Sequence, residues 1–263
     1  MRVDDLGILR YEPAWRMQEQ AHEEVLKGAE ERILLVEHPP VITLGRNAKL
    51  ANVVAPPEFL AQRGVELFEI DRGGDVTFHG LGQLVAYPIF DLRSFEQRVS
   101  AVEYVRRLEE VLIRTCGDFG IGTQRIKGLT GVWTYALPKK PEAKIAAIGV
   151  HISRGVTTHG FALNVFTDLD FFSLIVPCGI VGRPVTSMQR ELQKTISLEE
   201  VATAASRNFG RVFNTQMLWL ESLDDLLAQA APAGTQPSPL NQDTPARPPK
   251  ELRELHGDGS ELA

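Results

Sequence analysis

The sequence predicts an α+β domain with a mixed, largely antiparallel sheet and flanking helices. Three observations carry that expectation. Strand-like segments outnumber helical ones, several strands adjoin through short turns, and the regular strand–helix alternation of a doubly wound parallel sheet is absent. The chain has 263 residues, of which 43% are hydrophobic and 24% charged, an ordinary globular balance that allows a sizeable core.

Taken in order, "AWRMQEQAHEEVLKGA" (14–29) has the spacing of an amphipathic helix. "RILLVEHPPVITLG" (32–45) reads as two short strands around a Pro-Pro turn. "VELFEI" gives a strand over 66–70, and "QLVAYPI" (83–89) another. "QRVSAVEYVRRLEEVLIRTCGDFG" (97–120) is a long helix closed by Gly117 or Gly120. Four strand-like segments follow, "TQRI", "TGVWTY", "KIAAIGVHIS" and "VTTHGFALNV". A short helix near 168–173, a longer one over 197–209 and a last helical piece over roughly 218–229 complete the ordered part. Residues 1–230 are therefore expected to form one domain. Residues 231–263 hold six of the sixteen prolines and then mostly charge, the composition of a disordered tail.

The two strands at 144–153 and 156–165 allow a register to be counted. A loop of Arg154-Gly155 pairs Ser153 with Val156, which sets Gly149 opposite Gly160 and Ala147 opposite Ala162. Two facing glycines flanked by alanines leave a gap in which a slender ligand could lie against backbone.

Bulk properties exclude several classes. The net charge of -6 argues against a nucleic-acid binder working through bulk positive charge. The two cysteines, Cys116 and Cys178, have no zinc-ligand spacing and suggest no disulfide framework. There is no signal-peptide pattern and no apolar run long enough to span a membrane, so a soluble, cytoplasmic protein is expected.

The segment "DRGGDVTFHGLGQLVAYP" (71–88) places four glycines and a histidine after a strand. It is neither a dinucleotide fingerprint, because Val85 stands where the third glycine belongs, nor a phosphate loop, because no Gly-Lys-Ser/Thr follows. A plain glycine-rich turn remains open, although Arg72, Asp75 and His79 beside the glycines suggest a ligand. Cys178 in "LIVPCGI" either packs, as free cysteines usually do, or is presented to a cleft by the Pro177–Gly179 turn. Cys116, near a helix end, reads as structural. Lys144 at a strand start reads as an edge residue, His159 as a satisfied polar residue of the sheet, and Trp15, Trp133 and Trp219 as packing; His38 stays open.

As an ensemble, "VEHPPVITLGR", "RGGDVTFHGLGQLVAYP", "KIAAIGVHIS", "THGFALNV" and "VPCGI" resemble the lipoyl(octanoyl) transferases over nearly all of residues 1–220. Phe78 stands where that family often has tyrosine, and Leu81 where proline is common. The resemblance implies a fold similar to the catalytic domains of biotin protein ligases and lipoate-protein ligases. It implies catalysis by Cys178 and Lys144, with an acyl-binding surface carried by Arg72, Gly73, Gly74, Asp75, Val76, Thr77, Phe78, His79, Ala147, Ile148, Gly149, Gly160, Phe161 and Ala162. The implied donor is octanoyl-acyl carrier protein. The implied acceptors are lipoyl domains of 2-oxoacid dehydrogenase complexes and the glycine cleavage H protein, with no cofactor and no metal. Backbone N–H groups near Cys178 and Gly179, or His79, are the candidate oxyanion donors. Acidic partners would call for a local basic patch, with Arg46, Arg72, Arg125, Lys127 and Arg183 as its candidates. The alternative is an ATP-dependent lipoate- or biotin-type ligase on the same fold, and a third reading is a non-enzymatic lipoyl-domain or acyl-binding scaffold.

Overall fold

The computed structural model describes residues 1–95, 98–138, 140–176 and 183–220. These residues lie in one compact unit, Met1–Asp225. Two sheets organise it. The larger is built from β1 (Arg2–Ile8), β2 (Arg32–Glu37), β6 (Gln83–Ile89), β7 (Thr123–Ile126), β8 (Leu129–Thr134), β9 (Lys144–Ser153), β10 (Val156–Asn164) and β11 (Leu218–Leu220). Its spatial order is β11-β1-β2-β6-β10-β9-β8-β7. The pairs β1–β11 and β1–β2 are parallel and the other five antiparallel, which matches the expected mixed sheet. The smaller sheet contains β3 (Val41–Leu44), β4 (Glu66–Glu69) and β5 (Val76–His79) in the order β4-β3-β5. The two strands flanking the Pro-Pro turn thus enter different sheets.

Helices cover both faces of the large sheet. On one face, α3 (Ala101–Asp118) and α5 (Leu198–Phe213) bury a core that includes Leu108, Val111, Leu112, Phe161, Leu163 and Phe209. Ser100 starts α3 as its N-cap, accepting from the Glu103 N–H with Glu at the third helical position, an arrangement that satisfies otherwise unpaired amides. On the other face, α1 (Tyr11–Leu26) packs Ala14, Ala21 and Val25 against Val85, Tyr87 and Ala162. The helix expected at 14–29 begins three residues earlier. Pro13 lies in the first turn, where a missing N–H costs nothing. Two short helices, α2 (Pro57–Gln62) and α4 (Met188–Leu192), and the strand β1 are not evident from periodicity. Residues 169–174 form a 3₁₀ helix.

The helical piece expected over 218–229 is corrected at its start. Leu218–Leu220 pair in parallel with Arg2–Asp4 as an edge strand, and 221–229 lie outside the described residues, as does the segment 231–263. No helix among the described residues is long and apolar enough to cross a membrane.

The β9–β10 hairpin has the counted register: Ser153 opposite Val156, Gly149 opposite Gly160, Ala147 opposite Ala162. Arg154 and Gly155 both have positive φ, 53° and 90°. That is the backbone a two-residue loop needs to match the strand twist.

Candidate functional site

The glycine-rich segment crosses the face of β9. Gly73 N–H donates to Val150 O at 2.9 Å. A Cβ on Gly149 would stand 2.8 Å from Gly73 O and 3.0 Å from Arg72 Cδ. A Cβ on Gly160 would run into the Ala86 carbonyl and lie 2.7 Å from Pro88 Cδ. The facing glycines therefore do not leave the open gap expected from counting. Their missing side chains admit the protein's own backbone, and the open space lies alongside. Arg72 is buried at 7% exposure and donates to Thr43 O at 2.8 Å, Thr43 Oγ1 at 2.9 Å and its neighbour's carbonyl, Gly73 O, at 3.0 Å. It pins the loop to β3.

Between this loop and β9–β10 lies a narrow cavity of about 50 Å³. Every expected acyl-binding residue borders it except Gly73 and Phe78. Alternation along β5 explains the second exception. Thr77 and His79 face the cavity, whereas Phe78 points into the small sheet's core and stacks on Phe171 at 4.8 Å. Tyr11, Val85, Tyr87 and His159 complete the wall. A smaller space of about 10 Å³ adjoins it, bordered by Lys144 and sharing Thr77, Ala147 and Ala162 with the first. Between them the two spaces extend from the glycine-rich loop to Lys144.

Lys144 is not the solvated edge residue that a strand start suggests; it is 8% exposed. Its Nζ lies 5.3 Å from the centroid of the Trp133 ring. Gly131 makes room for it, since a Cβ there would meet Lys144 Cε at 2.7 Å. The lysine backbone donates to Pro184 O and accepts from Thr186 N–H, both at 2.9 Å. On the other side, Val176 N–H donates to Asn52 O at 2.7 Å, and Asn52 Nδ2 donates to Asp75 Oδ2 at 2.6 Å. These contacts fix the chain before and after 177–182. Cys178 itself lies outside the described residues.

A relay of side-chain hydrogen bonds joins the two halves of the path. His79 Nδ1 donates to Gln83 Oε1 at 2.8 Å, Gln83 Nε2 donates to Asn164 Oδ1 at 2.8 Å, and Asn164 Nδ2 donates to Thr186 O at 3.0 Å. Gln83 Nε2 also donates to Phe78 O, which fixes the amide and hence the His79 tautomer. Burial pushes His79 down to about 3, so its Nε2 is a bare acceptor at neutral pH. This removes His79 from the candidate oxyanion donors.

Two further histidines line up behind it. His38 Nδ1 donates to Leu9 O at 2.7 Å, so its Nε2 accepts from the Tyr87 hydroxyl at 2.7 Å; burial lowers it to about 4. His159 has a left-handed backbone, φ 56°, and donates from Nε2 to Asp71 Oδ1 at 2.8 Å. That hydrogen bond holds the Asp71 carboxyl near 2. His151 Nε2 lies 3.3 Å from Asp71 Oδ2 and Arg46 donates to His151 Nδ1 at 2.9 Å, which ties the loop to the hairpin. Tyr11, Val85, Tyr87 and His159 are the wall residues missed from sequence. For Tyr87 a signal exists: it is two residues from Val85, which pairs with Ala162, and so shares its face.

The expected basic patch does not assemble. Arg72 is buried, Arg125 is paired with Glu109 and Glu110, and Arg183 is paired with Glu142. Arg46 and Lys127 are exposed on separate loops. Cys116 is fully buried in the α3–α5 core, and burial pushes its thiol up to about 12, in keeping with a structural role.

A buried lysine at the end of a slender cavity, under a glycine-rich loop, on this two-sheet frame defines a class. The sequence model of the lipoyl protein ligase A/B catalytic domain matches residues 10–210. Solved structures on the same fold include a lipoate-protein ligase A bound with ATP, with TM-score 0.62 and 17% identity over 87% of this chain and 93% of that one. A bipartite lipoate protein ligase from Thermoplasma acidophilum gives 0.61 and 18% over 86% and 91%. At these identities the likeness concerns the fold alone. Relatives much nearer in sequence are octanoyltransferases. That of Koribacter versatilis is 59% identical over 100% of this chain and 99% of its own. That of Acidobacterium capsulatum is 57% identical over 86% and 95%, and that of Mycobacterium marinum 45% over 78% and 84%. The chain belongs to the octanoyltransferases of the lipoyl protein ligase A/B family.

Proposed function

We propose that this chain transfers an octanoyl group from an acyl carrier protein thioester to a lysine of a lipoyl domain, through a thioester on Cys178. The observation that carries this is the pair of narrow spaces, sharing Thr77, Ala147 and Ala162, that border the glycine-rich loop at one side and the buried Lys144 at the other. The segment holding Cys178 is anchored at one end to Asn52 and at the other to the Lys144 backbone. Cys178 is two residues beyond Val176, a reach of about 7 Å at most.

In the first step the Cys178 thiolate attacks the thioester carbonyl, and the tetrahedral intermediate expels the carrier's thiolate, which takes up a proton. In the second, the acceptor amine attacks the Cys178 thioester, loses a proton and expels the cysteine thiolate, leaving a stable amide. A free cysteine near pKa ~8.5 is only a few per cent thiolate at neutral pH. A Lys144 ammonium brought close to it would favour the thiolate, and the Lys144 amine would take the acceptor's proton. Trp133 at one side and the small residues Ala146 and Ala147 at the other hold the lysine away from bulk water. The donor is already activated as a thioester, so the chemistry requires no ATP. Octanoyl lies along Ala147, Gly149 and Ala162, its far end towards Tyr11 and His79. Lipoyl domains of 2-oxoacid dehydrogenase complexes and the glycine cleavage H protein are the acceptors, in the cytoplasm.

Purified protein given octanoyl carrier protein and a lipoyl domain should form octanoyl-lysine without ATP. Cys178→Ser should abolish nearly all of it. An undiminished rate in that variant, or a requirement for ATP, overturns the reading.

A further inference from the structure

An alkyl chain calls for an apolar sleeve, yet the end of the cavity away from Lys144 is lined by hydrogen-bonding rings. Tyr11, His79, Tyr87 and His159 border the larger space only, and all are buried, at 1%, 7%, 3% and 2% exposure. The Tyr11 and His79 rings stack, with centroids 6.3 Å apart and planes at 13°. Each presents an unused polar atom. The Tyr11 hydroxyl has no hydrogen-bond partner among the described residues, and neither has His79 Nε2, because His79 spends its one N–H on Gln83. The Tyr87 hydroxyl donates to His38 and retains its acceptor capacity. Neither atom is sealed in the packed interior, so a hydroxyl donor and a bare acceptor that border one cavity and bond no described residue point to a polar occupant.

The character of that occupant follows from the groups. Tyr11 is a neutral phenol that can both donate and accept, and burial raises its pKa, so it stays protonated. His79 offers a lone pair. A hydroxyl satisfies both at once, donating to one and accepting from the other. A carboxylate would meet the His79 lone pair, and the nearby Arg72 guanidinium is engaged by Thr43 and Gly73.

Resting on the acyl path described above, we propose that Tyr11 and His79 form a hydrogen-bonding subsite for a neutral hydroxyl at the far end of the acyl chain. The enzyme therefore accepts medium-chain acyl thioesters bearing a terminal hydroxyl beside the plain alkyl chain, and rejects those ending in a carboxylate. Tyr11 and His79 are specificity-determining residues in this account, with no part in the bond-making steps.

The test compares three pantetheine thioesters with a lipoyl domain as acceptor: octanoyl, 8-hydroxyoctanoyl and the eight-carbon chain ending in a carboxylate. In the full-length protein kcat/KM for the hydroxyacyl donor should fall within about tenfold of octanoyl, less than the roughly hundredfold by which an apolar pocket rejects an added hydroxyl. The carboxylate donor should fall below both. Tyr11→Phe, which preserves the ring, should lower the hydroxyacyl-to-octanoyl ratio by about tenfold, the loss of one hydrogen bond to a buried group. His79→Phe should lower it as well. Reading the ratio cancels any general loss of activity. Octanoyl transfer with a ratio unmoved by both variants overturns the subsite alone, as does hundredfold rejection of the hydroxyacyl donor by the parent. Failure to transfer octanoyl from any donor overturns the acyl path and the subsite together.

Discussion

Adding one methyl group at position 149 tests how the loop and the sheet depend on each other. In Gly149→Ala the new Cβ would lie 2.8 Å from Gly73 O, 3.0 Å from Arg72 Cδ and 3.4 Å from Arg72 Nη1. Two of these neighbours are hard to move, because Gly73 is bonded to Val150 and Arg72 to Thr43. Restoring ordinary contact requires the loop to retreat by roughly half an ångström, which stretches the Gly73–Val150 hydrogen bond. Overpacking of this kind costs ~1–3 kcal/mol. Replacing glycine returns ~0.4–1 kcal/mol by stiffening the unfolded chain, which leaves a net loss of about 1–2 kcal/mol. For a domain of this size the melting temperature should fall by about 2–4 °C per kcal/mol. Because the cavity is only about 50 Å³, octanoyl transfer should fall further than stability alone would dictate. Gly117→Ala is the control. A Cβ there meets nothing within 4 Å and its φ is not positive, so a helical alanine should hold or raise the melting temperature. Thermal melts followed by circular dichroism, paired with the transfer assay, read both effects. A Gly149→Ala protein that melts and transfers like the parent would refute the packing argument.

Two more expectations follow from the site. Lys144→Met keeps the length of the side chain and removes its charge. The Cys178 thiol should then titrate about one to two units higher, read as the pH midpoint of iodoacetamide alkylation, whereas an unchanged midpoint would separate Lys144 from the thiol. Acid should weaken the fold before most carboxylates titrate. His38 and His79 are held near 4 and near 3 in the folded chain against 6.5 when free. The unfolded state therefore binds protons first, and stability is constant above about pH 6.5 and declines below it, by up to ~1.36 kcal/mol per pH unit for each histidine. Urea midpoints measured from pH 7.5 to pH 5 check this, and a flat profile over that range contradicts it.

The parts of this molecule legible in its sequence are those fixed by local rules. The β9–β10 register follows from a two-residue loop, which leaves one alignment, and the long helix α3 follows from its apolar spacing, although the Ser100 cap starts it at 101 rather than at the expected 97. What escaped depends on tertiary placement. The segments on either side of the Pro-Pro turn look like partners, but β2 joins the large sheet and β3 the small one. "LWL" at 218–220 is apolar enough to extend a helix, yet the free edge of β1 captures it as a strand. The gap above Gly149 and Gly160 could be counted, whereas its filling by Arg72, Gly73 and Ala86 could not, because those residues arrive from other elements. Phe78 was separable in principle, since a period of two puts it on the face opposite Thr77 and His79. Gly131 inside a strand was likewise a signal of close approach, here by the Lys144 side chain. Tyr11 gives no such sign, because nothing in "RYEPAW" indicates that the ring will stack on His79.

The proposed transfer requires an acyl group to reside on one sulfur between donor and acceptor. Mixing the protein with octanoyl carrier protein in the absence of a lipoyl domain, and weighing the intact chain, reads that state directly. One octanoyl group should appear, map to Cys178, and depart when a lipoyl domain is added. Formation of octanoyl-lysine with no acylated enzyme at any time, or equal acylation of the Cys178→Ser protein, would contradict it.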